Sequence, residues 1–131
     1  MVDDRDYETL AAVRAELRAF AYFTEQMTKS VGLTPQQHQI LLALRASKDR
    51  QLTIGQLAET MYLKPHSVSG LADRLMALGL VERVRSEADR RSIVLHLTDK
   101  ANASLAALGR VHGEELRRVR PLLMGLLAQL R

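Results

Sequence analysis

Apolar positions recur every three to four residues along most of the chain, a spacing that is typical of amphipathic helices. The first run predicts a helix over residues 6–29, and Gly32 then provides a stop signal. The second run predicts a helix over residues 35–46, and Thr34 and Gln37 stand at the spacing of a capping box at its start.

Two shorter helices across a tight turn follow. Thr53 and Gln56 repeat the capping-box spacing and open a third helix, and residues 62–64 form the turn. A fourth helix begins at Pro65 and stops at Gly79. We expect four of its residues to face the core: Val68, Leu71, Leu75 and Leu78. This arrangement predicts a helix-turn-helix.

A period of two residues then replaces the helical period. Residues 81–85 and 93–97 predict the two strands of a β-hairpin joined by a polar turn. Thr98 is expected to cap a long fifth helix over residues 99–119, which Pro121 breaks or kinks. In the second strand, the alternation places three residues on one face: Ile93, Leu95 and Leu97.

The last segment, residues 122–130, is too apolar for a solvent-facing terminus and too short for a membrane helix, so we expect it to pack on a second subunit. The predicted fold class is mainly α with a small β-hairpin wing: a winged helix-turn-helix flanked by N- and C-terminal dimerisation helices. We expect a single domain over residues 1–131. Residues 34–98 form the winged helix-turn-helix lobe, and residues 1–33 and 99–131 supply the dimerisation helices.

Composition narrows the class of protein. A chain of 131 residues that is 47% hydrophobic and 26% charged is typical of one globular domain. The absence of cysteine excludes disulfides, thiolate metal sites and thiol nucleophiles, and it fits the reducing cytoplasm in which we expect the protein. An acidic N-terminus and short apolar runs predict neither a secretory signal nor contact with a membrane.

The net charge of +4 is compatible with nucleic-acid binding but does not establish it. Most of the excess positive charge lies in the last third of the chain, where a solvated helix face explains it equally well. The case for DNA therefore depends on local pattern.

Three stretches have an order and spacing that belong to a known family. They are Leu57-Ala58-Glu59, then Ser67-Val68-Ser69 with Asp73-Arg74-Leu75 and residues 79–83, and finally Asp89-Arg90-Arg91 with residues 95–98. In these stretches the chain resembles the multiple-antibiotic-resistance regulator (MarR) family, and the resemblance covers nearly the whole chain. One departure is Ala101, at a position where the family usually has glycine.

The resemblance implies a triangular dimer joined through its first, fifth and sixth helices. It also implies that each recognition helix lies in a major groove and each wing lies against a minor groove. Members of the family commonly repress transcription and are released by small, often phenolic, anions. The implied partners are a second copy of the chain, double-stranded DNA with a pseudo-palindromic operator, and a small-molecule effector.

The fourth helix has the surface of a recognition helix even without the family. When its apolar residues face inward, its polar and small residues point outward near the N-terminus, where a helix in the groove meets base edges. Pro65 leaves the following N–H groups without an obvious side-chain cap, which suits a phosphate. Asp73 would repel phosphate and is assigned to an ion pair. The predicted contacts are Lys64, His66, Ser67, Ser69, Gly70 and Arg74.

The hairpin turn supplies the other predicted DNA contacts: Asp89, Arg90 and Arg91. We expect Asp89 to pair with one arginine while the other extends toward DNA. The Asp-x-Arg pattern of the family falls on Asp89 and Arg91, which favours Arg91 as the side chain in the minor groove and leaves Arg90 in reserve.

An effector site is predicted beside the first helix, where Arg14, Arg18 and Tyr22 lie on successive turns and offer charge and a hydroxyl to an aromatic carboxylate. His38 on the second helix is a candidate to face them. In the alternative, both arginines pair with acidic residues such as Glu16 of another chain or Glu25, and Tyr22 is half-buried packing.

No catalytic or metal chemistry is predicted. His112 and Glu115 share a helical face, but two ligands do not make a metal site, so we expect no metal and no other cofactor. Nucleophile elbows, phosphate loops and paired carboxylates are missing from the sequence, which argues against an enzyme. Two other classes stay open: a winged helix that binds proteins without sensing a ligand, and an architectural DNA-binding protein whose affinity ignores sequence.

Overall fold

The computed structural model describes residues 1–86, 89 and 91–130. The chain divides into two compact units, one made of Met1–Thr34 with Gly109–Arg131 and the other of Pro35–Leu108. In chain order the elements are α1 (Asp4–Lys29), α2 (Pro35–Ala46), a 3-10 turn (Lys48–Arg50), β1 (Gln51–Thr53), α3 (Ile54–Met61), α4 (Pro65–Ala77), β2 (Val81–Arg85), β3 (Ile93–Leu97), α5 (Asp99–Ala107) and α6 (Gly109–Gln129).

The first unit consists of α1 and α6, which pack against each other. α1 starts earlier than predicted because Asp3 and Asp6 form a capping box, in which each carboxylate accepts a hydrogen bond from the other residue's N–H. Between the helices, the Thr24 hydroxyl donates to a Glu115 carboxylate oxygen at 2.7 Å.

The second unit contains the helix-turn-helix and a three-stranded antiparallel sheet in the order β1-β3-β2. The sequence predicted only the hairpin, because β1 has three residues and is too short to display an alternating pattern. Its residue Thr53 lies opposite Val94 in β3, and Val84 of β2 lies opposite Val94 on the other side. β3 is therefore the central strand.

The predicted inner face of β3 is partly wrong. Leu95 and Leu97 are buried, but Ile93 is 50% exposed, and its neighbour Val94 is buried instead. Val94 has a strand on each side, whereas Ile93 lies at the end of the strand next to the turn, beyond the core.

The core face of α4 also differs from the prediction. Val68 and Leu75 are fully buried, as expected, and Ala72 joins them. Leu78 is 44% exposed because it is the C-cap of a helix that ends at Ala77. Other residues of the second unit complete this core: Ile40, Leu41, Leu44, Leu57, Ala101 and Leu105.

The predicted long fifth helix is two helices. The break falls at Leu108, the C-cap of α5, where ψ is 9° and Gly109, a poor helix former, begins α6. Pro121, predicted to break or kink the helix, lies inside α6, so the helix is not broken there. A proline inside a helix removes only one hydrogen bond to the preceding turn, and α6 continues past it to Gln129.

The predicted fold class, mainly helical with a small β wing, is confirmed by these elements. None of the helices in the described part of the chain has both the length and the apolar character that crossing a bilayer requires.

Candidate nucleic-acid interface

α4 presents one polar face to solvent. Of the six contacts predicted on and before this helix, Ser69 is half-buried, and the other five are exposed: Lys64, His66, Ser67, Gly70 and Arg74. The opposite face holds the buried Val68, Ala72 and Leu75. Because the apolar face is fixed in the core, the polar face is held in one orientation.

The start of α4 fits the prediction in one respect and not in another. Lys64 is the N-cap and provides no side-chain hydrogen bond, and Pro65 occupies the first turn, as expected. However, the N–H groups of Ser67 and Val68 both donate to the Lys64 carbonyl, at 3.0 and 3.2 Å. These two amides are therefore not available to a phosphate.

The polar face of α4 continues into a hollow of about 290 Å³. The predicted DNA contacts Ser67, Gly70 and Arg74 line it. Leu71 of α4, Gln36 of α2 and Leu63 of the turn before α4 complete the lining. Gln36 was not predicted, because nothing in the local sequence of α2 shows that its first turn lies beside α4.

The far end of α4 is held by residues from later elements. The Thr98 hydroxyl donates to the Gly79 carbonyl at 2.7 Å, and the same oxygen accepts the Ala101 N–H, so Thr98 caps α5 as predicted. The Lys100 ammonium donates to the Leu78 carbonyl. These contacts hold the C-terminal end of α4 against the start of α5.

Asp73 forms the predicted ion pair. One of its carboxylate oxygens lies 3.0 Å from the guanidinium of Arg83 on β2. The pair neutralises a carboxylate on the exposed side of α4, which would otherwise repel a polyanion. It also joins α4 to the base of the wing, defined here as β2, β3 and the turn between them.

The described residues of the wing turn are organised by one carboxylate. Asp89 accepts the backbone N–H of Arg91 at 3.0 Å and the hydroxyl of Ser92 at 3.2 Å. The Ser86 N–H donates to the Ser92 carbonyl at 2.9 Å and closes the turn. The ion pairs of the described residues do not include one between the Asp89 and Arg91 side chains, and Asp89 binds the backbone of Arg91 instead. The expected pairing of Asp89 with the other arginine stays a prediction. Arg90 lies outside the described residues.

The Arg91 side chain is exposed, as a contact with DNA requires. Asp89 holds the backbone of Arg91 through its N–H, and the residue is exposed. The wing turn therefore offers an oriented, accessible cation.

The predicted effector residues are divided between the two units. Arg14, Arg18 and Tyr22 are exposed on α1, and His38 is buried on α2. Within one chain Tyr22 is 64% exposed, and Glu25 pairs with Lys29 of its own helix at 3.6 Å. The alternative includes contacts between two chains and stays a prediction.

A hollow of about 300 Å³ lies within the α1/α6 unit, on another side of α1 from the predicted effector residues. Its lining combines apolar walls with one acidic and one basic side chain: Glu16, Ala19, Phe20, Arg118, Pro121 and Leu122. The Arg118 guanidinium is stacked over the Phe23 ring, 3.7 Å from its centroid. This arrangement joins residues about 95 positions apart, so no local sequence pattern could indicate it.

The paired His112 and Glu115 do not form the core of a larger ligand set. Glu115 accepts the hydrogen bond from Thr24, and the described residues contain no group of three or more side chains suited to a metal ion.

The sequence of this chain matches that of a known protein family. A model of the MarR family matches residues 31–92, which include the helix-turn-helix and most of the wing. This chain carries a MarR-family domain. The resemblance inferred from the sequence is thereby confirmed.

Named relatives of the MarR-family domain are regulators. The transcriptional repressor MdtR of Bacillus subtilis is 40% identical over 78 residues, which is 60% of this chain and 48% of MdtR. The chain spans 48–63% of the lengths of the first curated relatives that it matches.

Solved structures share the fold over most of the chain. Sco3205 from Streptomyces coelicolor, a MarR family transcriptional regulator solved in complex with DNA, superposes with a TM-score of 0.79 at 18% identity, covering 90% of this chain and 74% of that one. BpsR from Bordetella bronchiseptica, whose DNA binding is regulated by 6-hydroxynicotinic acid, superposes with a TM-score of 0.70 at 20% identity, covering 91% and 89%.

Proposed function

We propose that this chain is a sequence-specific transcriptional regulator that binds double-stranded DNA as a homodimer and acts as a repressor released by a small aromatic anion. The observation that carries the proposal is the exposed polar face of α4, which is held at its C-terminal end and lies beside a wing with an accessible Arg91. A helix supported in this way suits insertion into a major groove.

Dimerisation is supported by the surface of the α1/α6 unit. Apolar side chains remain exposed along both helices: Tyr7, Leu10, Leu17, Leu116, Leu123, Met124, Leu127 and Leu130. Apolar side chains exposed in such number along two packed helices favour a surface that another protein chain covers. The dimerisation role of residues 1–33 and 99–131, the single-domain organisation and a cytoplasmic location are proposed with it.

Repression and ligand release are supported by the relatives. MdtR is named a repressor, and the DNA binding of BpsR is regulated by a hydroxylated aromatic acid. Arg14, Arg18 and Tyr22 are the residues that we propose for an anion of this kind, because all three are exposed along one side of α1.

Selection of duplexes from a random-sequence library tests the function. A dimer should recover a pseudo-palindrome of about 16–20 base pairs whose half-sites lie one helical turn apart. Footprinting of that duplex, with and without salicylate-like anions, then tests release. A footprint over a single half-site would contradict the dimeric arrangement.

Titrating the chain with the selected duplex and with an unrelated duplex distinguishes the proposal from the two other classes of protein that the sequence left open. An architectural protein should bind selected and unrelated duplexes equally, with a strong dependence on salt. A protein-binding winged helix should show no sequence preference at moderate salt. Either result would overturn the proposal.

A further inference from the structure

Tyr62 has a side chain that the folded chain does not use. It is 95% exposed in the turn between α3 and α4, whereas its neighbour Leu63 is half-buried. A large aromatic ring that is fully in water contributes little to the core. Packing therefore does not explain a tyrosine at this position.

The backbone at Tyr62 makes the choice of residue more unusual. Its φ of 55° and ψ of 40° lie in the left-handed region, which disfavours bulky side chains. The Leu63 N–H donates to the Ala58 carbonyl at 3.0 Å, so Tyr62 occupies the helix-ending position that glycine usually takes. Strained residues of this kind concentrate at functional contacts.

The position of Tyr62 indicates what it contacts. Only Leu63 and Lys64 separate it from the start of α4, and Lys64 and His66 are both exposed. Whatever the first turn of α4 approaches therefore also meets the turn that carries Tyr62. A phenol hydroxyl donates one hydrogen bond, and tyrosine is among the side chains that bind DNA phosphate.

We infer that Tyr62 is a DNA-backbone contact, whose hydroxyl donates to a phosphate beside the groove that α4 enters. The inference rests on the proposed function and adds a residue to it. Because phosphates carry no sequence information, the contact strengthens binding to every duplex. The phenol is neutral, so it releases no counterions and leaves the salt dependence unchanged.

Two variants test the contact. Tyr62→Phe removes only the hydroxyl and should lower affinity about a hundredfold for both the selected duplex and an unrelated duplex of equal length, because two protomers each lose a bond to a charged acceptor. The slope of log affinity against log salt should not change. Ser47→Ala is the control and should bind as the parent does, because it removes a hydroxyl that donates only to the Leu44 carbonyl and lies outside both the predicted DNA contacts and the apolar surface of the α1/α6 unit.

Tyr62→Gly separates contact from folding. Glycine adopts φ 55° without strain, so the melting temperature should stay the same or rise while DNA affinity falls at least as far as in Tyr62→Phe. A lower melting temperature would show that the ring serves the fold and would overturn the inference.

The outcomes distinguish this inference from the function on which it rests. If the parent binds the selected duplex and Tyr62→Phe binds it equally well, the inference fails and the function stands. If only the selected duplex is affected, Tyr62 contacts a base or a bound protein partner, and the phosphate contact is wrong. If the parent binds neither duplex, the function fails and the inference with it.

Discussion

The Lys100 ammonium donates a hydrogen bond to the Leu78 carbonyl oxygen, with the two atoms 2.7 Å apart. The acceptor lies at the C-terminal end of α4, where carbonyl groups lack helical partners and the helix dipole favours a cation. Lys100 lies in the first turn of α5, so this contact ties the start of one helix to the end of another. The Thr98 hydroxyl makes a second tie through the Gly79 carbonyl.

We predict that Thr98→Val lowers the free energy of unfolding by about 1–2 kcal/mol, because it removes both the cap of α5 and the bond to Gly79. Urea denaturation followed by circular dichroism measures this change. Thr60→Val is the matched control, because the exposed Thr60 hydroxyl only donates to the Gln56 carbonyl of its own helix. Equal effects of the two substitutions would contradict a special role for Thr98.

Caps and stop signals were predictable because they depend on residues close together in the sequence. Thr53 and Gln56 form the predicted capping box, with hydrogen bonds of 2.9 and 3.0 Å, and Gly79 follows the end of α4 with φ +75°. The polar face of α4 was predictable for the same reason, since its period of 3.6 residues is visible locally.

The features that the sequence did not predict depend on contacts between distant parts of the chain. β1 is recognisable only once β3 lies beside it, and the hollow next to Arg74 requires Gln36 from a different helix. The sequence pattern also could not show that Asp89 would bind the Arg91 backbone, since a carboxylate can pair equally well with a guanidinium.

The apolar surface of α6 supports a prediction about assembly. Leu127→Glu should give a monomer at micromolar concentration, because a buried unpaired carboxylate costs more than the contacts around it return. Light scattering reports the mass. Gln129→Glu adds the same charge two residues away on an exposed position and should leave the dimer intact. A parent protein that is monomeric at this concentration would contradict the proposed dimer.

The exposed basic residues of α1 support a prediction about the effector. Arg14→Ala or Arg18→Ala should weaken binding of a salicylate-like anion while leaving affinity for the selected duplex nearly unchanged. An effector releases DNA only if it binds the DNA-incompetent arrangement more tightly, so the variants should also need more anion for release. Calorimetry measures the binding, with Arg5→Ala as the control. The absence of binding by the parent would remove the basis of this prediction.

The accessible guanidinium of Arg91 supports a prediction about the wing. Arg91→Ala should weaken DNA binding by about 1–3 kcal/mol per site and, because the dimer has two wings, flatten the log–log salt slope by about two units. A narrow minor groove concentrates negative potential and attracts arginine, so the loss should be greatest where the flanking sequence is rich in A·T pairs. Titrations at several salt concentrations measure both quantities. An unchanged slope would exclude Arg91 as a phosphate or groove contact.

Asp89 provides the sharpest test of the wing, because its charge and its hydrogen bonds act in opposite directions. The carboxylate repels DNA, yet it holds the Arg91 backbone and the Ser92 hydroxyl. Asp89→Asn removes the charge and keeps an oxygen for the Arg91 N–H, so it should bind DNA as tightly as the parent or more tightly. Asp89→Ala removes the same charge and both bonds, so it should bind more weakly, since Arg91 is no longer held. If both variants bind more tightly, charge alone governs the wing, and the ordered turn has no part in binding.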